Sequence, residues 1–344
     1  MQDQGGSGRA TIRDVANAVG VSTATVSKVM NATGRVSAET RKAVLEAARE
    51  LDFRPNAMAR ALQSNRSSSV GLLTDDTYGR FSLPLMAGLT EGLIAQGMSV
   101  FLCVIDGPKE LGATHLDALL QKRVDGLIIS GRRVDRLPDI DLTGVTVPTV
   151  YALSHGPADG VTLAPDERHG AALAVSHLIE IGRRRIAHVT GPRRFRVAME
   201  RAESWRDTLA AEGLWKEGEA LHGDWSQGWG HTAAAHLIDG RPASDWPDAV
   251  FCGSDQIGLG MIDAFRERGI DVPGQIAVIG FDNWQVLAAQ ARPPLSSIDM
   301  NLPELGREVG RTLTRMIAGE SPATGTTRLP CTLVPRASTI GPAG

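Results

Sequence analysis

Thr23, Ala24, Ser27 and Lys28 fall on one side of a stretch with helical period, and all four are short or basic. Such a face can lie in a DNA major groove, where small side chains admit close approach and a cation meets acceptors on base edges. No comparable grouping points to catalysis. The chain has no GxxxxGK[ST] loop, no GxSxG elbow, no HExxH pair and no CxxC pair, the spacings that cradle phosphate, present a nucleophile or hold zinc. His231 and His236 stand five residues apart, about 140° around a helix, so they share no ligand face. Gly258-Leu-Gly260 is a lone GxG in a helix-like segment. Cys103, Cys252 and Cys331 lie in apolar, strand-like runs and read as buried thiols, not as a disulfide frame or a zinc site. The pattern is that of a binding protein with no metal and no cofactor, and not of an enzyme.

Three short helices would position the Thr23–Lys28 face. Thr11 is a good N-cap and Asp14 falls in the first turn, where the helix dipole favours an anion. Val15, Ala16 and Val19 give that helix an apolar stripe, Gly20 supplies a turn, and Val21 plugs the core. Ser22 caps a second helix with Val26, Val29 and Met30 inward, and Asn31–Gly34 breaks it. Ser37 caps a third helix, from Ala38 to about Leu51, with Val44, Leu45, Ala48 and Leu51 inward. Two short helices joined by a Gly-containing turn and braced by a third make a helix-turn-helix. On periodicity alone, a plain three-helix bundle with an incidental Ser/Thr face fits equally well. Charge leans toward DNA: residues 1–69 carry a net +4 and the rest of the chain a net −7, within an overall −3.

From Val70 onward, short apolar runs alternate with amphipathic stretches. Strands are predicted at Val70–Leu73, Ser99–Ile105, Asp125–Ile129, Pro148–Leu153, Arg185–Val189, Ala249–Cys252 and Ile276–Phe281. Helices are predicted at about Leu83–Gln96, Leu111–Gln121, Glu167–Ile181, Met199–Glu212, Gly228–Ile238, Gln256–Arg268 and Glu304–Ala318. This alternation implies parallel sheets wound on both faces, and there are too many units for one sheet. Two α/β lobes behind a small head agree with a length of 344 residues, roughly two domains or slightly more. No apolar run reaches the ~18 residues of a membrane helix, and Met1–Gly8 lacks the basic and apolar regions of a signal peptide. A cytoplasmic protein with no membrane partner is expected.

The head also carries a long, ordered set of motifs: D-V-A-x-x-x-G-V-S from Asp14, A-T-V-S-x-V-x-N from Ala24, V-S-x-x-T-R-x-x-V from Val36 and P-N-x-x-A-x-x-L from Pro55. Across Thr11–Leu62 it resembles the DNA-binding head of the lactose-repressor/galactose-repressor family of transcription regulators. The resemblance implies that Thr23, Ala24 and Lys28 contact base edges, while Ser22, Thr25, Ser27, Asn31 and Arg35 hold phosphates or the groove. Asn56–Leu62 matches the family's hinge helix, with Asn56, Ala59 and Arg60 at the minor groove and Leu62 as a wedge into the central base step. Lys28 departs from the family's usual arginine, and a lysine makes a poorer bidentate fork to guanine.

The body resembles the family's periplasmic-binding-protein-like core through Val124-Asp-Gly-Leu-Ile-Ile129, Arg185-Ile-Ala-His-Val-Thr-Gly191, Ser254-Asp255, Val272-Pro273 and Ile279-Gly-Phe-Asp282. The implied organisation is a tail at 1–10, a head at 11–54, a hinge and linker at 55–69, a first lobe at 70–164 plus 294–323, and a second lobe at 165–293 plus 324–340. The family's effector cleft falls on Arg201, Asp282 and Trp225, with Ser254 and Ser130 at positions often held by amides, and Tyr78, Arg80 and Phe81 in the first strand-to-helix loop. A fixed guanidinium facing a carboxylate suits vicinal sugar hydroxyls. Arg132, Arg133, Arg193, Arg194 and Arg196 could reach the cleft, which would favour an acidic or phosphorylated sugar; a nucleoside or purine acting as co-repressor is a further alternative. A free-standing sugar transport protein of the same body fold would carry a signal peptide and no head. The Gly/Pro-rich tail after Val334 leaves no room for a tetramerising leucine heptad. The resemblance therefore implies a ligand-responsive repressor that binds near-palindromic double-stranded operator DNA as a homodimer, with a small-molecule effector, a sugar, between its lobes; whether effector releases or promotes DNA binding is not written in these residues.

Overall fold

The structure, a computed structural model, describes residues 10–31, 33–53, 66–131, 138–154, 156–215 and 218–341. The chain divides after Ser68 into two units.

The first unit holds α1 (Ile12–Val19), α2 (Thr23–Met30) and α3 (Ala38–Glu50). Short polar residues start each of them. The Thr11 N–H and hydroxyl both donate to Asp14, Ser22 Oγ accepts from the Thr25 N–H and Ser37 Oγ from the Thr40 N–H, so free first-turn donors are satisfied. Gly20, at φ 70°, closes α1 in the left-handed conformation that a residue without Cβ adopts at little cost. Val15, Ala16, Val26, Val29, Val44, Ala47 and Ala48 form the core, with Met30, Val19 and Val21 half-buried against it. Leu45 and Leu51, expected inward, are instead 43% and 39% exposed. The inward stripe of α3 runs through residues 44, 47 and 48; Leu45 lies a further 100° round and leaves it, and Leu51 sits at the helix's C-cap.

In the second unit the strands are β1 (Ser69–Thr74), β2 (Ser99–Val104), β3 (Gly126–Ser130), β4 (Thr149–Ala152), β5 (Val161–Pro165), β6 (Ile186–Thr190), β7 (Leu221–His222), β8 (Ala249–Cys252), β9 (Ala277–Phe281), β10 (Ser296–Asp299), β11 (Gly325–Leu329) and β12 (Thr332–Val334). Around them lie α4 (Ser82–Ile94), α5 (Lys109–Gln121), α6 (Glu167–Glu180), α7 (Arg196–Ala211), α8 (Gln227–Ile238), α9 (Asp255–Glu267), α10 (Gln285–Ala288), α11 (Leu302–Ile317) and α12 (Ala337–Ile340). Two six-stranded sheets result, ordered β11-β5-β4-β3-β1-β2 and β12-β10-β9-β8-β6-β7. Pairing is parallel throughout, for example Val70 opposite Val100 and Gly126, except that β12 runs antiparallel to β10. The central strands β1, β3, β8 and β9 are buried along their whole length, which explains their continuous apolar sequences. Helix α11 packs so closely on α4 that a Cβ at Gly88 would lie 1.8 Å from the Pro303 carbonyl oxygen, and one at Gly306 2.1 Å from that of Leu85.

The sheets correct the lobe boundaries. Ser296–Asp299, expected in the first lobe, pairs with β9 in the second sheet. Gly325–Leu329, expected in the second lobe, pairs with β5 in the first. The chain crosses between lobes at Asp166, between Asp299 and Leu302, and between Leu329 and Thr332. Both strands are polar in sequence and lack the apolar run that marks their neighbours. Cys252 and Cys331 are buried and Cys103 is half-buried. Among the described residues, no helix is long and apolar enough to cross a membrane.

Candidate functional site

On the head, Thr23, Ala24 and Lys28 are exposed along α2, with Ser22, Asn31 and Arg35 exposed beside them and Thr25 and Ser27 half-buried. The caps set this face. Ser22 Oγ and Thr25 Oγ1 lie 3.0 Å apart, and the Asn31 amide donates to Ser27 Oγ at 3.3 Å. Gly34, at φ 69°, brings the turn after α2 so close to the Lys28 stem that a Cβ there would lie 3.3 Å from Lys28 Cδ. The turn thus packs against the stem of an exposed lysine. Asn56, Ala59, Arg60 and Leu62 lie outside the described residues.

On the body, a cavity of about 270 Å³ opens at the carboxyl ends of the strands of both sheets, the usual ligand position in wound α/β folds. Tyr78, Arg80 and Phe81 reach it from the loop between β1 and α4, Arg201 from α7, Trp225 from the loop before α8, Ser254 from the end of β8, and Asp282 from the end of β9. Ser130 does not line it: the residue is buried at the end of β3, its hydroxyl without a partner among the described residues, and its neighbour Gly131 faces the cavity instead.

Two arginines dominate the electrostatics, and both are already paired. Arg201 is 5% exposed. Its Nε and Nη2 hold Glu167 Oε2 at 2.7 and 2.6 Å, Nη1 donates to the Gly253 carbonyl at 2.5 Å, and Asp282 Oδ1 lies at 3.9 Å. Burial works against the Arg201 cation, but Glu167 and Asp282 outweigh it and keep the guanidinium protonated. Arg80 comes from the other lobe. It forms an ion pair with Asp282 and donates to Gln256 Oε1 at 2.8 Å, with its guanidinium 4.9 Å from the Phe81 ring centre and 4.8 Å from that of Trp284.

Asp282 is held there by a strained and heavily braced corner. Asp282 and Asn283 have φ of 103° and 47°, conformations that cost non-glycine residues energy and persist only when their surroundings fix them. The Asp282 N–H donates to the Ile298 carbonyl at 2.8 Å, the Asn283 N–H to Ser297 Oγ at 3.0 Å, and the Trp284 N–H to Asp255 Oδ2 at 2.6 Å. Ser297 in turn donates to Asp255 Oδ1 at 2.5 Å. Burial, reinforced by the Asp282 charge, pushes the Asp255 carboxyl up to about 8.

Other expected residues serve the fold as well as the cavity. Ser254 Oγ caps α9 by accepting from the Ile257 N–H. Trp225 packs on Gly191, where a Cβ would lie 2.2 Å from the indole, so it is at once lobe packing and cavity wall. Arg193 pairs with Glu219, Arg196 with Glu200, and Arg194 lies 4.7 Å from the Phe195 ring centre; none of the three lines the cavity. Arg132 and Arg133 lie outside the described residues. Sequence reasoning missed Glu167, Gln256 and Trp284. The last two stand two residues beyond the expected Ser254 and Asp282, Gln256 in the first turn of α9 and Trp284 at the N-cap of α10, which is a usable signal, whereas Glu167 looks in sequence like any acidic residue in a helix's first turn.

Comparison with known proteins covers both parts of the chain. Residues 11–56 match the model for bacterial regulatory proteins of the lacI family, and residues 175–339 that for the periplasmic binding protein-like domain. The HTH-type transcriptional repressor PurR of Glaesserella parasuis serovar 5 is 34% identical over 311 residues, 90% of each chain. The ribose operon repressor of Escherichia coli K12 is 34% identical over 308 residues, covering 86% of this chain and 90% of that one. Among solved structures, the Lac repressor dimer bound to operator and the anti-inducer ONPF superposes with a TM-score of 0.75 at 28% identity, covering 96% of this chain and 99% of that one. A complex of the transcriptional regulator CelR with cellobiose gives 0.67 at 30% identity, covering 96% and 100%.

Proposed function

This chain belongs to the lacI family of bacterial regulatory proteins and is a DNA-binding transcriptional repressor, not an enzyme; from that premise we propose that it binds a near-palindromic operator as a homodimer and that a small molecule between its lobes switches that binding. Thr23, Ala24 and Lys28 read base edges in this scheme, and Ser22, Thr25, Ser27, Asn31 and Arg35 fix register on the phosphates. Asn56, Ala59, Arg60 and Leu62 enter the minor groove from paired hinge segments. Two-fold pairing of heads requires two half-sites related by the same axis.

One observation carries the effector reading: seven of the eight residues expected to bind effector line a single cavity. Its volume, about 270 Å³, is near the lower end of the roughly 300–1,000 Å³ typical of ligand pockets, a size for one sugar or one base. Flat walls from Phe81, Trp225 and Trp284 suit a ring-shaped ligand. The ligand is neutral. Arg80 and Arg201 are both matched by carboxylates, so among the described residues no surplus cation in the cavity wall awaits a phosphate or uronate, and Arg193 and Arg196 pair with Glu219 and Glu200 away from the lining. Relatives named PurR and a ribose operon repressor make a purine base and a sugar the two classes to test.

Thermal-shift screening with D-ribose, hypoxanthine and ribose 5-phosphate, with gel-shift of fragments from the protein's own genomic neighbourhood, tests the whole scheme. The expected result is a retarded fragment, stabilisation by a neutral ligand but not by the phosphate, and a solution mass twice that of the 36.5 kDa chain. Failure to retard any fragment, with and without these ligands, would overturn it.

A further inference from the structure

We propose that Arg80 sets what this cavity accepts: by tying the two lobes through Asp282 and Gln256, it occupies acceptors that a polyhydroxylated ligand needs and leaves room for a flat ring that itself offers acceptors. The inference rests on the reading of the cavity as the effector site. Sugar hydroxyls are recognised above all by carboxylates, which accept two neighbouring O–H groups with good geometry. The cavity has two carboxylates in its wall, Asp76 and Asp282. Asp76 Oδ2 is committed to the start of α4, accepting the Phe81 and Ser82 N–H groups at 2.7 and 2.8 Å and the Ser82 hydroxyl at 3.1 Å. Asp282 is committed to Arg80, with side chains only 7% and 14% exposed, where a charge-assisted pair is poorly screened by water. Gln256 Oε1 accepts from the same guanidinium. Arg80 therefore stands where sugar hydroxyls would stand.

The buried polar side-chain atoms of the lining left without a partner are donors. Arg80 Nε and Trp225 Nε1 are buried without partners among the described residues, and both side chains line the cavity. Buried N–H groups are satisfied in nearly all native sites, so two idle donors in one cavity wall call for a ligand with carbonyl oxygens or ring nitrogens. Phe81 and Trp284 flank the guanidinium at 4.9 and 4.8 Å and fix its plane, which keeps the tie from swinging aside. The chemistry that fits is a nucleobase rather than a pentose or hexose.

Calorimetric titration of the full chain with hypoxanthine and with D-ribose tests this in wild type, Arg80→Ala, Arg80→Lys and Trp225→Ala. Wild type is expected to bind hypoxanthine at least ten-fold more tightly than ribose. Arg80→Ala, which frees Asp282 and Gln256, is expected to shift the ratio of the two affinities toward ribose by at least ten-fold. Arg80→Lys, which keeps the charge beside Asp282 but cannot hold both partners with one planar fork, is expected to fall between, and it covers the case in which the alanine variant does not fold. A ratio that stays within three-fold of wild type in both Arg80 variants, a wild type that prefers ribose, or no binding of either probe to any of the proteins overturns the proposal. Tight binding that is indifferent to Trp225→Ala would instead place the ligand outside the cavity and overturn the reading on which the proposal rests.

Discussion

The helix face and the cavity solve opposite electrostatic problems. On the head, Lys28 and Arg35 are exposed, and the partner brings the counter-charge, since each phosphate contact on DNA neutralises a cation and releases a counterion. In the body, the Arg201 and Arg80 side chains are largely buried, and the protein itself supplies Glu167 and Asp282 as their partners. A buried charge without a partner is prohibitively costly, so a cavity for a neutral ligand must balance its own charges before the ligand arrives. The two sites also differ in how the chain builds them. The head residues from Ser22 to Arg35 share one short stretch, whereas Arg80 meets Asp282 across 202 positions. A surface that binds a polyanion can be made locally; a balanced cavity needs the whole fold.

The largest expected effect breaks the balance on the cavity side. Arg201→Ala leaves Glu167 fully buried with no cation, a change of the kind that costs roughly 3–5 kcal/mol of stability. Urea unfolding of the full chain should show that loss, and any loss of ligand response in this variant arises partly from a weakened lobe. Replacing both partners by neutral side chains of similar size, Arg201→Met with Glu167→Gln, should recover most of it, because removing a buried pair together is far cheaper than removing half of it. A single variant within about 1 kcal/mol of wild type would mean that the cavity does not depend on internal pairing, and the contrast drawn above would collapse.

The head offers the reverse test. Lys28 is exposed, so Lys28→Ala should leave stability within about 0.5 kcal/mol while costing roughly 1–3 kcal/mol of discrimination at one operator base, read by binding to a set of single-base operator variants. Unchanged discrimination would remove Lys28 from the reading face. The difference between the two sites also explains what could be read from the sequence. The head's helices follow from Thr11, Ser22, Ser37 and Gly20, each of which acts on residues within one turn, and strands such as β1, β3, β8 and β9 declare themselves by continuous apolar runs. Leu45 and Leu51 went astray because a 13-residue helix in a three-helix unit has one inward stripe and their apolar character does not say which stripe. The polar strand Ser296-Ser-Ile-Asp299 and the strand from Gly325 were invisible because their burial or pairing comes from neighbours far along the chain. In the cavity, the family resemblance pointed to Arg201, Asp282 and Arg80 but not to the carboxylate that neutralises the first or to the pairing of the other two, since neither pairing has a local signature.

The last contrast between the two regions runs through pH. Asp14 on the head is fully exposed, and hydrogen bonds from the Thr11 N–H and hydroxyl hold its carboxyl below the usual range. Its contribution is present above the unfolded value and is lost as pH falls. Asp255 in the body behaves oppositely. The folded protein keeps its proton up to about pH 8, whereas the unfolded chain releases it near 3.9. Between these values the folded state binds more protons, so stability falls as pH rises, by at most about 1.4 kcal/mol per pH unit for one group, and the loss is complete above pH 8. Asp255→Asn has no proton to lose. Unfolding curves of the full chain at pH 6, 7, 8 and 9 should therefore show a wild type that weakens relative to the variant up to about pH 8 and then runs parallel to it. Parallel curves from pH 6 onward would show that Asp255 is ionised in the folded state, and that the corner holding Asp282 in place tolerates two neighbouring carboxylates.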